Sequence, residues 1–223
     1  MSIGIQAAGF RTQRYSGEYQ GLSIDAGWEH RWVSTHVRLP TYRIVRNGLE
    51  GIGLGDLLLA IRVPLARTGD ESLRGGLGLA ATAPTGDAGQ DLGMGHFMLM
   101  PELWLRWTGE RAFVEVSAMY GRALASSGGS HHGGGPGPIV NPMNASEIEG
   151  ALTGGYWLNE RFRARVGAYG AVPVDAPAGI ARAAVFVGTD LVWKWFSMGL
   201  EGHIPVAGNL FTGKLAMTMG ARF

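Results

Sequence analysis

Apolar and polar residues alternate with a period of two in nearly every run between turn signals, the pattern of β-strands whose successive side chains face opposite ways. Near the end of the chain Leu215, Met217, Met219, Ala221 and Phe223 share one parity, and Lys214, Ala216, Thr218, Gly220 and Arg222 share the other. Phe196, Met198, Leu200, Ile204 and Val206 likewise oppose Ser197, Gly199, Glu201 and His203. Arg161, Arg163 and Arg165 fall on one face of their run and Phe162, Ala164, Val166 and Ala168 on the other, where a helix would scatter the arginines round its circumference. The runs around Leu57 to Leu65 and Phe97 to Trp107 follow the same rule.

Turn chemistry divides the chain into about twelve strands, near 3–14, 21–32, 33–45, 53–66, 73–84, 95–107, 111–125, 146–159, 161–173, 181–195, 196–206 and 212–223. The connections after the second, fourth, sixth, eighth and tenth strands are short, whereas 16–20, 47–52, 85–94, 126–145, 174–180 and 207–211 are longer and richer in Gly, Pro and Asn. Short turns at one rim and long loops at the other predict an all-β fold, a transmembrane antiparallel up-and-down β-barrel with its loops outward and both termini periplasmic. Hydrocarbon offers no hydrogen-bond partner, so a spanning sheet must close on itself, with apolar side chains toward lipid and polar ones toward the lumen. A soluble barrel or sandwich would alternate too, but has no need of that asymmetry.

Composition narrows the picture. Gly 37 and Pro 10 in 223 residues suit turns better than helices, and no linker divides the chain, which reads as one domain over 1–223. Nineteen basic against eighteen acidic side chains leave a net charge of +1, far from the excess that binds phosphate backbones, so nucleic acid is excluded as a partner. The absence of cysteine excludes a disulfide framework, a thiolate metal site and a cysteine nucleophile, and no cofactor is expected. No apolar run reaches the ~18 residues of a membrane helix, and the N-terminus has neither the charged nor the apolar region of a signal peptide, so a mature or leaderless form is expected. Trp28, Trp32, Trp107, Trp193, Trp195, Phe196 and Phe223 gather at the short-turn ends, mostly on the apolar parity, as a periplasmic aromatic girdle would. A terminal Phe on that parity also fits the C-terminal signature of bacterial outer-membrane proteins.

Gly53, Leu54, Gly55 and Asp56 open a strand; Gly76, Leu77, Gly78 and Leu79 run into Ala83, Pro84, Thr85, Gly86 and Asp87; Leu92, Gly93, Met94 and Gly95 follow. This stretch, within 49–107, resembles the outer-membrane transporter family named for the meta-pathway of phenol degradation, with Ala83 departing from the residue usual before Pro84. The resemblance implies an outer-membrane barrel that passes small, often hydrophobic or aromatic compounds. Met98, Met100 and Trp104 on the lumen parity are the local support for such cargo. The glycines also have a purely conformational reading, as residues at strand turns.

Sorting lumen-parity charges by their distance from the turns gives three zones. Arg31, Arg62, Arg106, Arg161, Arg163, Lys194 and Arg222, with Glu29 and His36 among them, form a basic periplasmic mouth that would attract anions. Arg38, Glu102, Glu115, Arg165, Asp190 and Glu201 lie at mid-depth, either as a constriction or as a salt-bridge network that fills the barrel. Asp25, Asp56, Glu147, Glu149, His96, His203, Arg182 and Lys214 lie toward the long-loop mouth. His131 and His132 sit in a Gly- and Pro-rich loop, either solvated or folded inward as a gate, and are too few to define a metal site.

The expected function is passive passage of small solutes through a narrow lumen in a bacterial outer membrane, with membrane lipid and solute as partners and no enzymatic activity. A closed scaffold docking a protein through its basic mouth or long loops would use the same arginines. A lipid hydrolase would need an outward Ser and His; His30 has the parity, but it lies at the short-turn end with no Ser opposite and no G-x-S-x-G in the chain.

Overall fold

A computed structural model describes residues 2–11, 16–46, 48–90, 92–126, 144–174, 181–208 and 211–221. Its elements are β1 (Ser2–Arg11), β2 (Ser16–His30), β3 (Val33–Arg46), β4 (Leu49–Leu54), β5 (Leu57–Arg67), β6 (Leu73–Ala83), β7 (His96–Thr108), β8 (Ala112–Ser126), β9 (Ser146–Trp157), β10 (Phe162–Pro173), β11 (Arg182–Val192), β12 (Phe196–Ala207) and β13 (Gly213–Ala221), with one 3₁₀ turn at Ala88–Gln90. Each strand pairs antiparallel with its neighbours, and the β1–β13 and β2–β3 ladders close the circuit. Among the described residues no helix is long and apolar enough to cross a membrane.

Thirteen strands occupy twelve positions in the wall because β4 and β5 share one. The lower part of β3, Ser34 to Arg38, pairs with β5, while Thr41 to Arg46 pairs with β4. Between the pairs Thr41↔Leu54 and Val37↔Leu59 the β4–β5 strand uses five steps against four on β3, a bulge at Gly55 and Asp56. Outward parity therefore changes from even (Glu50, Ile52, Leu54) to odd (Leu57, Leu59, Ile61), and a run that reads as one strand from 53 to 66 is two.

The outward face is an apolar belt: Ile3, Ile5, Leu22, Ile24, Leu59, Ile61, Leu103, Leu105, Val166, Val187, Leu200 and Leu215 are all exposed. So continuous an exposed apolar surface is stable only in lipid. On β13 Leu215 and Met219 face out, and the Lys214, Ala216, Thr218 and Gly220 parity faces in, as the alternation predicts. At the short-turn rim Trp28, Trp32, Trp107, Trp193 and Trp195 are exposed, with Arg31 and Arg67 at 5.0 and 4.8 Å from the Trp32 ring and Lys194 at 4.9 Å from Trp195. His30 belongs to this girdle: its ring stacks on Trp28 at 5.7 Å. Phe223 and Arg222 lie outside the described residues.

The β5–β6 turn is held by Asp70, whose carboxylate accepts from the Thr68 hydroxyl at 2.5 Å, the Ser72 hydroxyl at 2.9 Å and the Ser72 amide at 3.1 Å. The Thr68 bond above all holds this carboxyl below its ordinary value. The support it gives is present above the usual carboxylate range and fades as pH falls through the lowered value.

Inside the wall, glycines make room for large rings. A Cβ on Gly167 would stand 2.4 Å from Phe186 Cε1 and 2.6 Å from the Leu152 carbonyl oxygen, and one on Gly155 would stand 2.2 Å from Phe113 Cε1. Since the Leu152 oxygen belongs to a neighbouring strand and cannot swing away, Gly167→Ala is expected to destabilise the barrel by about 1–3 kcal/mol. A lowered temperature for the heat-induced gel-mobility shift of the folded barrel reads this loss; an unchanged shift would refute it.

Candidate functional site in the barrel lumen

Lumen-facing side chains come from one parity of each strand, so the chemistry of the interior is fixed by register. That register brings the predicted mid-depth acids together with the arginines of both inner zones. Arg62 on β5 reaches across β6, where Gly78 leaves room, and donates to Glu102 of β7 from Nε at 2.8 Å and from a terminal nitrogen at 2.6 Å. Its other terminal nitrogen donates to Glu115 of β8 at 3.0 Å, and Arg106 completes the group with a 3.4 Å bond to Glu115. Beyond the Phe113 ring, which Arg106 and Arg163 flank at 4.6 and 5.3 Å, Arg163 donates to Asp190 at 2.8 Å, and Arg165 donates to Asp190 at 2.9 Å and lies 2.5 Å from Glu201. Each group holds two arginines and two carboxylates and is neutral.

The basic mouth is thereby altered. Arg62, Arg106 and Arg163 face the lumen as expected, yet each is ion-paired, and Arg62 stands level with Glu102 rather than at the rim. Counting residues from a turn misjudges depth because barrel strands tilt and stagger, so equal counts on neighbouring strands end at different heights. Arg31, Arg161 and Lys194 stay exposed at the turns. Arg222, His131 and His132 lie outside the described residues.

A third cluster stands apart from both quartets. Asp25 on β2 accepts from Arg38 Nε at 2.6 Å and from the Ser23 hydroxyl at 3.0 Å, and contacts His36 Nε2 at 3.1 Å. A fourth closes the upper wall, where Arg182 donates to both oxygens of the fully buried Glu147 at 2.6 and 2.7 Å.

The outer half of the lumen differs from the loop-crowned mouth expected for it. The described residues of 85–94, expected outside as a long loop, fold inward, and Leu92 and Met94 are buried. Leu92 packs with Ala8, Tyr19, Tyr42, Ile44, Ala184 and Phe211 in an apolar cluster flanked by Tyr169. Tyr19 and Tyr42 meet edge to face at 6.1 Å. The segment hangs from Asp56 at the β4–β5 bulge, whose two carboxylate oxygens accept from the Gly86 amide at 3.1 Å and the Met94 amide at 2.7 Å. Gly86 and Gly93 permit that approach: a Cβ on Gly93 would lie 2.4 Å from Asp56 Oδ1. Thr85 adds a tie, donating to the Gly55 carbonyl at 2.7 Å and accepting from the Leu57 amide at 2.9 Å. The G-x-G-D and L-G-x-G stretches, distant in sequence, are thus the two halves of one latch. Its signal in the sequence is Tyr19, Tyr42 and Ile44, three apolar residues on the lumen parity at the long-loop end.

Below the plug a cavity of about 1180 Å³ extends from Trp28, Glu29 and Ala221 at the short-turn end to Tyr42 and Asp56 at the underside of the plug. His36, Arg38 and Lys214 line it together with Leu58, Ala60, Ala80, Met100 and Met119 and the carboxylates Glu102 and Glu149. Among the described residues no group of three or more metal-ligating side chains occurs.

No protein-family model and no curated protein matches the chain. Solved structures do. A COG4313 outer membrane channel from Pseudomonas putida F1 aligns with a TM-score of 0.73 at 12% identity, covering 98% of this chain and 92% of that one. The NanC porin aligns with a TM-score of 0.60 at 9% identity, covering 99% and 100%. The translocator domain of the autotransporter NalP from Neisseria meningitidis follows at 0.51 and 12%, covering 100% and 86%. At such identities the likeness concerns architecture: this chain has the fold of an outer-membrane β-barrel.

Proposed function

We propose that the protein is a bacterial outer-membrane channel for passive passage of small solutes, drawn here with its outer half shut. The observation that carries this reading is the lumen cavity, continuous from the short-turn mouth to mid-height and ended by a plug hung on a single carboxylate. A barrel serving only as a scaffold has no use for a hollow of that size. The solved channel and porin of like architecture support the same reading. So does the resemblance of 49–107 to the meta-pathway transporter family, whose motif residues build the latch.

In this reading the quartets Arg62, Arg106, Glu102, Glu115 and Arg163, Arg165, Asp190, Glu201, neighbours on either side of Phe113, line a neutral constriction together with Arg38. Arg31, Arg161 and Lys194 supply the positive field at the periplasmic rim, and Met100 and Met119 suit cargo with apolar surface. Single-channel recording of the purified barrel in a planar bilayer is the test. Brief openings from a mostly closed baseline are expected, with weak anion preference in the reversal potential under a salt gradient. Silence both in the wild type and in a variant with its latch cut would overturn passage and favour the scaffold.

A further inference from the structure

Lys214 and Arg38 occupy one wall of the lumen cavity, on β13 and β3. Between them run β1 and β2, whose lumen-facing residues include Gly4, Ala8, Gly21 and Ser23, all small and buried. They leave room beside Tyr19 and Asp25, and both cations line the same cavity. Among the described residues, the Lys214 ammonium has no ion-pair partner within 4 Å, although Arg38 and Glu201 lie within Coulombic range. Arg38 commits Nε to Asp25, and its terminal nitrogens engage none of the described residues; its side chain is 47% exposed, to the cavity. Both quartets are neutral and Asp25 offsets Arg38, so Lys214 is a cation of this cavity without an ion pair among the described residues, in a lining that also holds Glu29, Asp56 and Glu149.

The adjoining wall adds apolar side chains. Leu58 is the direct cross-strand partner of Arg38, and Ala60, Ala80 and Met100 continue the lumen face along the registers Ala60↔Ala80 and Ala80↔Met100, with Met119 next. Two cations in one cavity with leucine, alanine and methionine side chains match a ligand with one negative end and a compact apolar body. Free donors on a guanidinium and an ammonium fit a carboxylate, and charge-assisted bonds in a partly dehydrated lumen discriminate it from a neutral group of the same shape.

We infer that Arg38 and Lys214 form a carboxylate subsite and that the solutes handled here are small monocarboxylates with an aromatic or branched apolar body. This inference rests on the passage reading for its biological use, but binding can be measured apart from conduction. Titration calorimetry of the full-length barrel in detergent, with benzoate as probe and benzamide as its neutral counterpart, reads it. Benzoate should bind and benzamide should not. Lys214→Met should weaken benzoate about tenfold or more, and Lys214→Arg should restore most of it. A heat-modifiable gel shift establishes that each variant is folded, and Lys214, engaged in no ion pair, is the safer of the two positions to change. Equal binding of benzoate and benzamide, or wild-type benzoate affinity in a folded Lys214→Met barrel, would overturn the subsite. Benzoate binding in a barrel that never conducts would uphold the subsite and sink passage. Conduction without benzoate binding would do the reverse.

Discussion

Asp56→Ala is expected to turn a mostly closed barrel into a mostly open one. The Asp56 carboxylate is 8% exposed and is the acceptor for two backbone amides of the inward-folded segment, Gly86 and Met94. Hydrogen bonds to a charged group contribute about 1.5–3 kcal/mol each, so losing both should shift the equilibrium between seated and released plug by a hundredfold or more, on the order of a full switch from rare to frequent opening. Asp56→Asn keeps an acceptor oxygen without the charge and should fall between. The readout is open probability in planar bilayers, with the gel shift as the check on folding. If the alanine variant folds and its traces match the wild type, the segment is not a gate on that latch.

The second large effect concerns selectivity. Asp190 bridges Arg163 and Arg165, and with Glu201 it keeps the second quartet neutral. Asp190→Asn preserves shape and leaves one net positive charge at mid-depth, where the low-dielectric wall screens it poorly. In an Asp56→Ala background, where current can be measured, the reversal potential under a salt gradient should move several-fold in permeability ratio toward anions. Adding Arg165→Gln should bring it back. Asp190→Leu, which strips the acceptor from two part-buried guanidiniums, should instead cost about 3–5 kcal/mol of stability. An unmoved reversal potential in the asparagine variant would place the quartet off the ion path.

Strands and facing were legible because lipid outside and water inside impose opposite demands on alternate residues. Leu215 and Met219 outward and Lys214 inward could be read from parity alone. What could not be read was stagger. Arg62 was expected at the rim, yet the ladders set it beside Glu102 across an intervening strand. The inward segment was missed for a related reason: its glycines suit an outside loop equally well, and the signal that Leu92 had a burial site lay far upstream, in Tyr19, Tyr42 and Ile44. The bulge was hidden because alternation resumes on both sides of it and only its phase changes.

That bulge also fixes how deep the barrel sits in its bilayer. β6 ends opposite Leu57, so β4 rises beside β3 with no ladder partner among the described residues on its other edge. Unpaired backbone amides and carbonyls are costly in hydrocarbon, and the outer face at this height carries Glu18, Arg43 and Glu50, with Arg43 donating to Glu50 at 2.7 Å. Headgroups and water must therefore reach the free edge of β4, beside the exposed Ile52 and Leu54. Asp56 lies at the foot of that edge, so the plug is latched where the wall itself is open to headgroups and water.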